Sequence, residues 1–126
     1  MERKDKLISI ITVVRNDVSH ISSTIESVLS QSYPSIEYIV IDGASTDGTK
    51  EVIEKYADRM KYWKSEPDKG VYDAMNKGIA LSTGDFVYFL NSGDTLLSST
   101  TLADIHLELM LVYGIIQNYS VYFVCQ

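Results

Sequence analysis

The stretch "SEPDKGVYDAMNKGIALSTGDFVYFLNSGD", residues 65–94, decides the fold of this chain. Within it "VYDAMNKGIALS" (71–82) has the apolar spacing of a helix, with a glycine at position 78. "DFVYFLN" (85–91) follows almost at once, and its residues Phe86 to Leu90 favour burial without interruption. A strand apolar on both faces belongs in a parallel sheet, where crossover helices cover it from both sides. A helix that runs straight into such a strand is half of a strand–helix–strand unit.

The same alternation continues in both directions. "LISIITVV" (7–14) is a near-continuous β-branched run and reads as a buried first strand. "SHISSTIESVLSQS" repeats Ile21, Ile25, Val28 and Leu29 at helical spacing, with Ser19 or Ser22 as the expected cap and Pro34 closing the connection. "IEYIVID" (36–42) is a second strand, "DGTKEVIEKYADRM" a second amphipathic helix with Val52, Ile53 and Tyr56 inward, and "KYWKSE" (61–66) a short strand. Downstream, "TLADIHLELML" (101–111) is helical in period and "LVYGII" (111–116) suits a strand. The expected fold class is α/β, a Rossmann-like, mostly parallel sheet flanked by helices.

Bulk properties narrow the function. The chain has 126 residues, 45% hydrophobic and 22% charged, which suits one globular domain. A net charge of −6 argues against nucleic acid as a partner, since such proteins need a basic face. A lone cysteine, Cys125, excludes an intramolecular disulfide or a cysteine metal cluster. The start "MERKDKLISIITVV" is too short in its apolar run for a signal peptide and lacks a small-residue cleavage site. From Thr95 onward the only charged residues are Asp104 and Glu108. The aromatic run Tyr113 to Val124 therefore looks like surface that expects cover, either from missing chain or from a homodimer partner.

In a doubly wound sheet, ligands bind beyond the carboxyl ends of the strands. Here each strand ends in polar residues: Arg15-Asn16-Asp17, Asp42-Gly43, Glu66-Pro67-Asp68 and Asn91-Ser92-Gly93-Asp94. Taken singly, each has a plain alternative. The Asn-Ser-Gly-Asp corner is ordinary turn chemistry, Thr46 and Asp47 suit a helix cap, and "EPDKG" is either a solvated loop or a lysine set for phosphate. His20 is expected at a helix start and His106 on a helix surface. No G-x-x-x-x-G-K-[ST] loop, no G-x-G-x-x-G after the first strand and no G-x-S-x-G elbow occurs, which weakens triphosphatase, dinucleotide oxidoreductase and hydrolase readings.

Together, "SIITVVRND", "SVLSQSYPSIEYIVIDGASTDGT" and "EPDKGVYDAMNKGIALSTGDFVYFLNSGD" resemble the family 2 glycosyltransferases of the GT-A fold, and more closely the bacterial members that build capsular polysaccharide and exopolysaccharide. The resemblance covers about residues 6 to 97. It implies inverting transfer of a sugar from a nucleotide-diphosphosugar, a UDP- or GDP-sugar, to a glycan or lipid-linked acceptor, with Mg²⁺ or Mn²⁺ as cofactor. By position it implies base contacts at Val13 and Arg15 and a base and ribose contact at Asp42. Asp68, Lys69 and Gly70 then line the base and phosphate region, Asn76 with Gly78 forms the asparagine–glycine helix element, and Asn91 opens the metal motif in which Asp94 is the ligand.

Several positions depart from the family's commonest pattern. Arg15 replaces an aromatic residue, Gly43 stands where a second aspartate is frequent, and Met75 replaces an arginine. Asn91 and Gly93 leave Asp94 the single carboxylate of its motif. Residues 1–97 are expected to form the donor-binding subdomain and 98–126 the start of a second half that stops short, since the family continues into an acceptor site and a general base. No catalytic residue is assigned. Two other readings are an enzyme completed by a partner chain and a non-catalytic nucleotide-binding or assembly module of a polysaccharide complex. The expected location is cytoplasmic, peripheral at the inner membrane.

Overall fold

In the computed structural model, which describes residues 5–115 and 121–125, strands and helices alternate through the chain. The order is β1 (Ile8–Val14), α1 (Ile21–Leu29), β2 (Ile36–Asp42), α2 (Thr49–Lys55), a single 3-10 turn (Ala57–Arg59), β3 (Tyr62–Ser65), α3 (Val71–Leu81), β4 (Phe86–Leu90), α4 (Thr101–Ile115) and β5 (Val121–Cys125). The strands form one sheet in the order β3-β2-β1-β4-β5. Every pair is parallel, with Ile8 opposite both Ile36 and Phe86. The α/β, Rossmann-like parallel sheet flanked by helices that the sequence implies is therefore present.

The period of two along each strand sorts the core into two layers. Ile8, Ile10 and Val14 of β1, with Tyr38 and Val40 of β2 and Phe86 and Leu90 of β4, pack against Ile21, Ile25 and Val28 of α1, Ile53 of α2 and Leu102 of α4. Ile11, Val13, Ile39, Ile41, Val87 and Phe89 face the other way and meet Ala74 of α3. Ile8, Ile10 and Ile11 are at most 1% exposed, and each such side chain contributes about 1.5–3 kcal/mol by burial. Helix α3 lies so close to β1 that a Cβ on Gly78 would stand 2.5 Å from Ile11 Cγ2. The glycine inside that helix is a packing requirement.

At the amino ends of the strands a carboxylate is buried among these apolar side chains. Glu37 is 5% exposed. Its oxygens accept from Ser9 Oγ at 2.7 Å, Thr83 N at 2.5 Å, Thr83 Oγ1 at 2.7 Å and Lys61 Nζ at 3.4 Å. Gly84 N donates to the same Ser9 hydroxyl at 2.9 Å. One side chain thus ties β1, β2, the start of β3 and the turn before β4. Burial opposes ionisation of Glu37, but the bonds from Ser9, Thr83 and Lys61 outweigh it and hold its carboxyl below the usual glutamate range.

Three local expectations are corrected. "LVYGII" is not a strand, because α4 continues through Ile115 and the strand comes later, at Val121–Cys125. A parallel strand can be entered only after a crossover, so the helix takes the apolar residues that precede it. His106 is not on the surface: it is 8% exposed, stacks on Tyr33 with ring centroids 4.8 Å apart, and accepts from Lys6 N at 3.3 Å. Neither Ser19 nor Ser22 caps α1, whose N-cap is His20, with the Ile21 N–H donating to Asp17 O at 3.0 Å. The side chains of the aromatic run at 113–124, expected to form a dimer surface, lie outside the described residues.

Replacing Glu37 by Gln should cost about 1–3 kcal/mol at neutral pH, since buried acceptors lose charge-assisted partners. The folded carboxyl titrates below its ordinary 4.5, so its contribution is whole above that pH and is lost as pH falls through the lower, folded value. Urea titrations of wild type and Glu37→Gln should accordingly converge in acid. Gly78→Ala should destabilise by about 1–3 kcal/mol through overpacking against Ile11, read in the same titrations.

Candidate functional site

Because the strands are parallel, their carboxyl ends share one edge, and the strand order changes direction between β1 and β4. There a cleft of about 170 Å³ opens. Val13, Val14, Val71 and Ala74 make its apolar floor, and Arg15, Asp68, Gly70 and Asn91 its polar rim. It is smaller than the roughly 300 Å³ at which ligand pockets begin. A larger hollow of about 670 Å³ lies near the opposite end of the sheet, beside Leu7, Tyr33 and Ile36, away from the polar strand tips.

The loops on the carboxyl edge carry the backbone strain of the fold. Among the described residues, positive φ occurs at Asn16 (50°), Ala44 (57°), Gly48 (103°), Gly70 (119°) and Gly93 (98°), all in connections that leave this edge. A left-handed alanine costs about 1–2 kcal/mol, and such outliers persist where surrounding contacts over-determine them. The contacts here are hydrogen bonds from loop to loop. Asn16 N donates to Ser45 Oγ at 2.7 Å, and Thr46 N to Asn16 Oδ1 at 2.8 Å. Ser92 Oγ donates to Asp17 Oδ2 at 2.8 Å, while Thr24 Oγ1 donates to Asp94 O at 2.8 Å and accepts from Gly93 N at 3.0 Å. The hydrogen bond to His20 holds the Asp17 carboxyl below the usual range against the opposing effect of burial.

The residues named from the sequence take different places. Val13, Arg15, Asp68, Gly70 and Asn91 are brought together in the cleft. Asp42 is fully buried, and its carboxylate accepts from Ser45 N at 3.0 Å, Ser45 Oγ at 2.5 Å and Ser65 Oγ at 2.7 Å. In this conformation Asp42 buckles the β2–α2 loop to the end of β3. Asn76 is exposed on α3, two positions from both Ala74 and Gly78, which face the sheet. Lys69 is exposed in the loop before α3, where its N–H donates to Asp73 Oδ2 at 2.9 Å. Asn91 Oδ1 is shielded and has no hydrogen-bond partner among the described residues.

Asp94 sits half-buried after β4, its N–H donating to Asn91 O at 3.0 Å. No hydrogen bond or ion pair engages its carboxylate among the described residues. By contrast, Asp17, Asp42, Asp47 and Asp68 all have oxygens committed to neighbours. The Arg15 guanidinium and the Lys69 ammonium likewise form no ion pair among the described residues. Among the described residues the loops beside the cleft thus include the cations Arg15 and Lys69 and the carboxylate of Asp94 without an ion pair, a set suited to an anion that arrives with a counter-charge.

Ser45, Ser65 and Thr24 had no place in the sequence reading. Ser45 lies three residues after Asp42 and matches a local side-chain turn, a signal present in the sequence. Ser65 and Thr24 reach their partners only through strand register and helix docking, with Asp42 opposite Ser65 across β2 and β3.

With this geometry described, comparison with known proteins is informative. The profile described as "Glycosyl transferase family 2" matches residues 9–104. The chain belongs to glycosyl transferase family 2. This family 2 chain is 46% identical over 88 residues to the uncharacterized glycosyltransferase Rv1514c of Mycobacterium tuberculosis, an alignment covering 69% of this chain and 34% of that one. It is 32% identical over 117 residues to Rv2957 of the same species, a PGL/p-HBAD biosynthesis glycosyltransferase, covering 86% and 46%. Among solved structures it is similar to TarS 1-349 of S. aureus, with TM-score 0.75 and 25% identity over 83% of this chain and 32% of that one. The chain thus spans between a third and a half of the length of these curated relatives.

Lys77 pins the loop that carries Asp68: its ammonium meets Glu66 Oε1 at 3.1 Å and donates to Pro67 O at 3.2 Å. Lys77→Ala should speed amide hydrogen exchange at residues 66–70 severalfold. Global stability should hardly change, because the pair is partly exposed and screened by solvent.

Proposed function

We propose that this chain forms the donor-binding part of an inverting glycosyltransferase, which moves a sugar from a nucleotide-diphosphosugar to a glycan or lipid-linked acceptor. The observation that carries the proposal is the cleft at the β1–β4 switch point, rimmed by Arg15, Asp68 and Asn91, with Asp94 uncommitted on the corner that leaves β4. Family membership supports it, and so do the structures of the similar TarS 1-349 in complex with UDP and with UDP-GlcNAc.

In this reading the base enters the cleft, where the planar guanidinium of Arg15 stacks on it or bonds its carbonyl edge. Asp68 supplies an acceptor for a base N–H. The diphosphate then lies along the edge toward Lys69 and the Asn-Ser-Gly-Asp corner. Asp94 is the residue that holds Mg²⁺ or Mn²⁺. One carboxylate fits that task, because such ions are held by one or two protein carboxylates with phosphate oxygens and waters completing the shell. Among the described residues no group of three His, Cys, Asp or Glu side chains is placed to hold a metal ion. When bound, the ion neutralises charge on the departing diphosphate.

Transfer with inversion requires a base to take the acceptor's proton as its hydroxyl attacks. Asp104 and Glu108 lie on α4 and do not line the cleft, so that role is assigned to neither. A lipid-linked acceptor would bring the chain to the inner face of a membrane. Among the described residues no helix is long and apolar enough to cross one.

Calorimetric titration of UDP and GDP, each with and without Mn²⁺, tests the reading. Binding of one nucleotide should tighten at least about tenfold with Mn²⁺, about 1.4 kcal/mol, and Asp94→Ala should abolish that gain. Arg15→Ala should weaken binding in both conditions. A folded protein that binds neither nucleotide would instead be a non-catalytic module of the same family.

A further inference from the structure

The tip of β2 carries a contact that the donor-site reading does not use. Gly43 is buried and follows Asp42 directly. Its N–H donates to Val14 O at 2.9 Å, which fixes it beside the end of β1. A Cβ built on Gly43 would stand 2.7 Å from Asp68 Oδ2, 3.4 Å from Asp68 Cγ and 3.5 Å from Arg15 Cβ. The first distance is one that real Cβ atoms do not adopt, so the carboxylate of Asp68 occupies the space that any side chain at position 43 would claim. Gly43 has no positive φ, so its backbone tolerates alanine, and the atom met first is the mobile end of the Asp68 side chain, which an alanine at 43 would push aside. The carboxylate is steered into that space from its other side: Asp68 Oδ1 accepts the Gly70 N–H at 2.9 Å, which leaves Oδ2 turned toward Gly43.

We infer that Gly43 is a positioning residue for donor binding: by lacking a side chain it seats the Asp68 carboxylate at the tip of β2, where Oδ2 accepts an N–H of the nucleobase. The inference rests on the donor-site reading and adds to it the origin of the acceptor. Asp42 is fully buried and already accepts from Ser45 and Ser65, whereas Asp68 is the carboxylate that lines the cleft. The acceptor is thus a loop residue from beyond β3, delivered into the space that the absent side chain leaves. Asp68 touches the base, and Gly43 acts only through Asp68.

A double-mutant cycle separates this from a general packing role. UDP and GDP affinities in the presence of Mn²⁺ would be measured for wild type, Gly43→Ala, Asp68→Ala and the double variant, with thermal unfolding of each. Gly43→Ala and Asp68→Ala should each weaken the bound nucleotide about tenfold. The double variant should bind no more weakly than Asp68→Ala, because a truncated Asp68 no longer meets the added methyl. It should also unfold at the temperature of Asp68→Ala, which keeps the cycle readable if Gly43→Ala alone proves unstable. Wild-type affinity in Gly43→Ala, or losses that multiply in the double variant, would overturn the inference while leaving the donor site standing. A wild-type protein that binds neither nucleotide would overturn both.

Discussion

Parallel pairing of β1 with both β2 and β4 imposes the condition on which the rest of the structure depends. A strand that must be re-entered from the same end sends every connection across the sheet, so all carboxyl termini gather on one edge. Where the order turns, between β1 and β4, a cleft lies at that edge. Position in the sheet therefore makes strand ends into site residues before their chemistry is considered. Val13 and Asn91 line the cleft because one is the last residue but one of β1 and the other directly follows β4.

The edge is built against a local cost. Five residues there hold left-handed backbone, one of them an alanine. Carboxylates that would otherwise repel one another in an acidic chain are absorbed in pairs with hydroxyls: Asp42 with Ser45 and Ser65, Asp47 with Thr49, Asp17 with Ser92. Short hydroxyl side chains satisfy an anion without adding a cation, so Arg15 and Lys69 keep their charge for whatever comes to the edge. Among the described residues, carboxylates held by neutral hydroxyls beside cations that form no ion pair make a negatively charged protein locally receptive to an anion.

What could be read before the structure follows from how far each signal reaches. The apolar runs at 7–14 and 85–91 declare a doubly covered strand in their own composition, and "IEYIVID" matches β2 residue for residue. Nothing in the local sequence marks Glu37, in the same strand, as a buried anchor. Its burial depends on Thr83, 46 positions away, which periodicity does not see. "LVYGII" was ambiguous because a short apolar run suits a helix or a strand equally, and the crossover decided it. Arg15 and Asp68 were legible as strand ends. That Asp68 rests against Gly43 was not, because contact between two loops depends on register and not on either local sequence.

The clasp around Glu37 has one more consequence. It binds β1, β2 and the approach to β4 at the end of the sheet opposite the cleft, through bonds that no site residue shares. Folding information and recognition information are thereby written at opposite poles of the same strands. Loops on the carboxyl edge are free to drift, lengthen or be exchanged by grafting while the alignment of the strands beneath them is kept. A scaffold so divided can change its ligand over evolutionary time without first having to relearn how to fold.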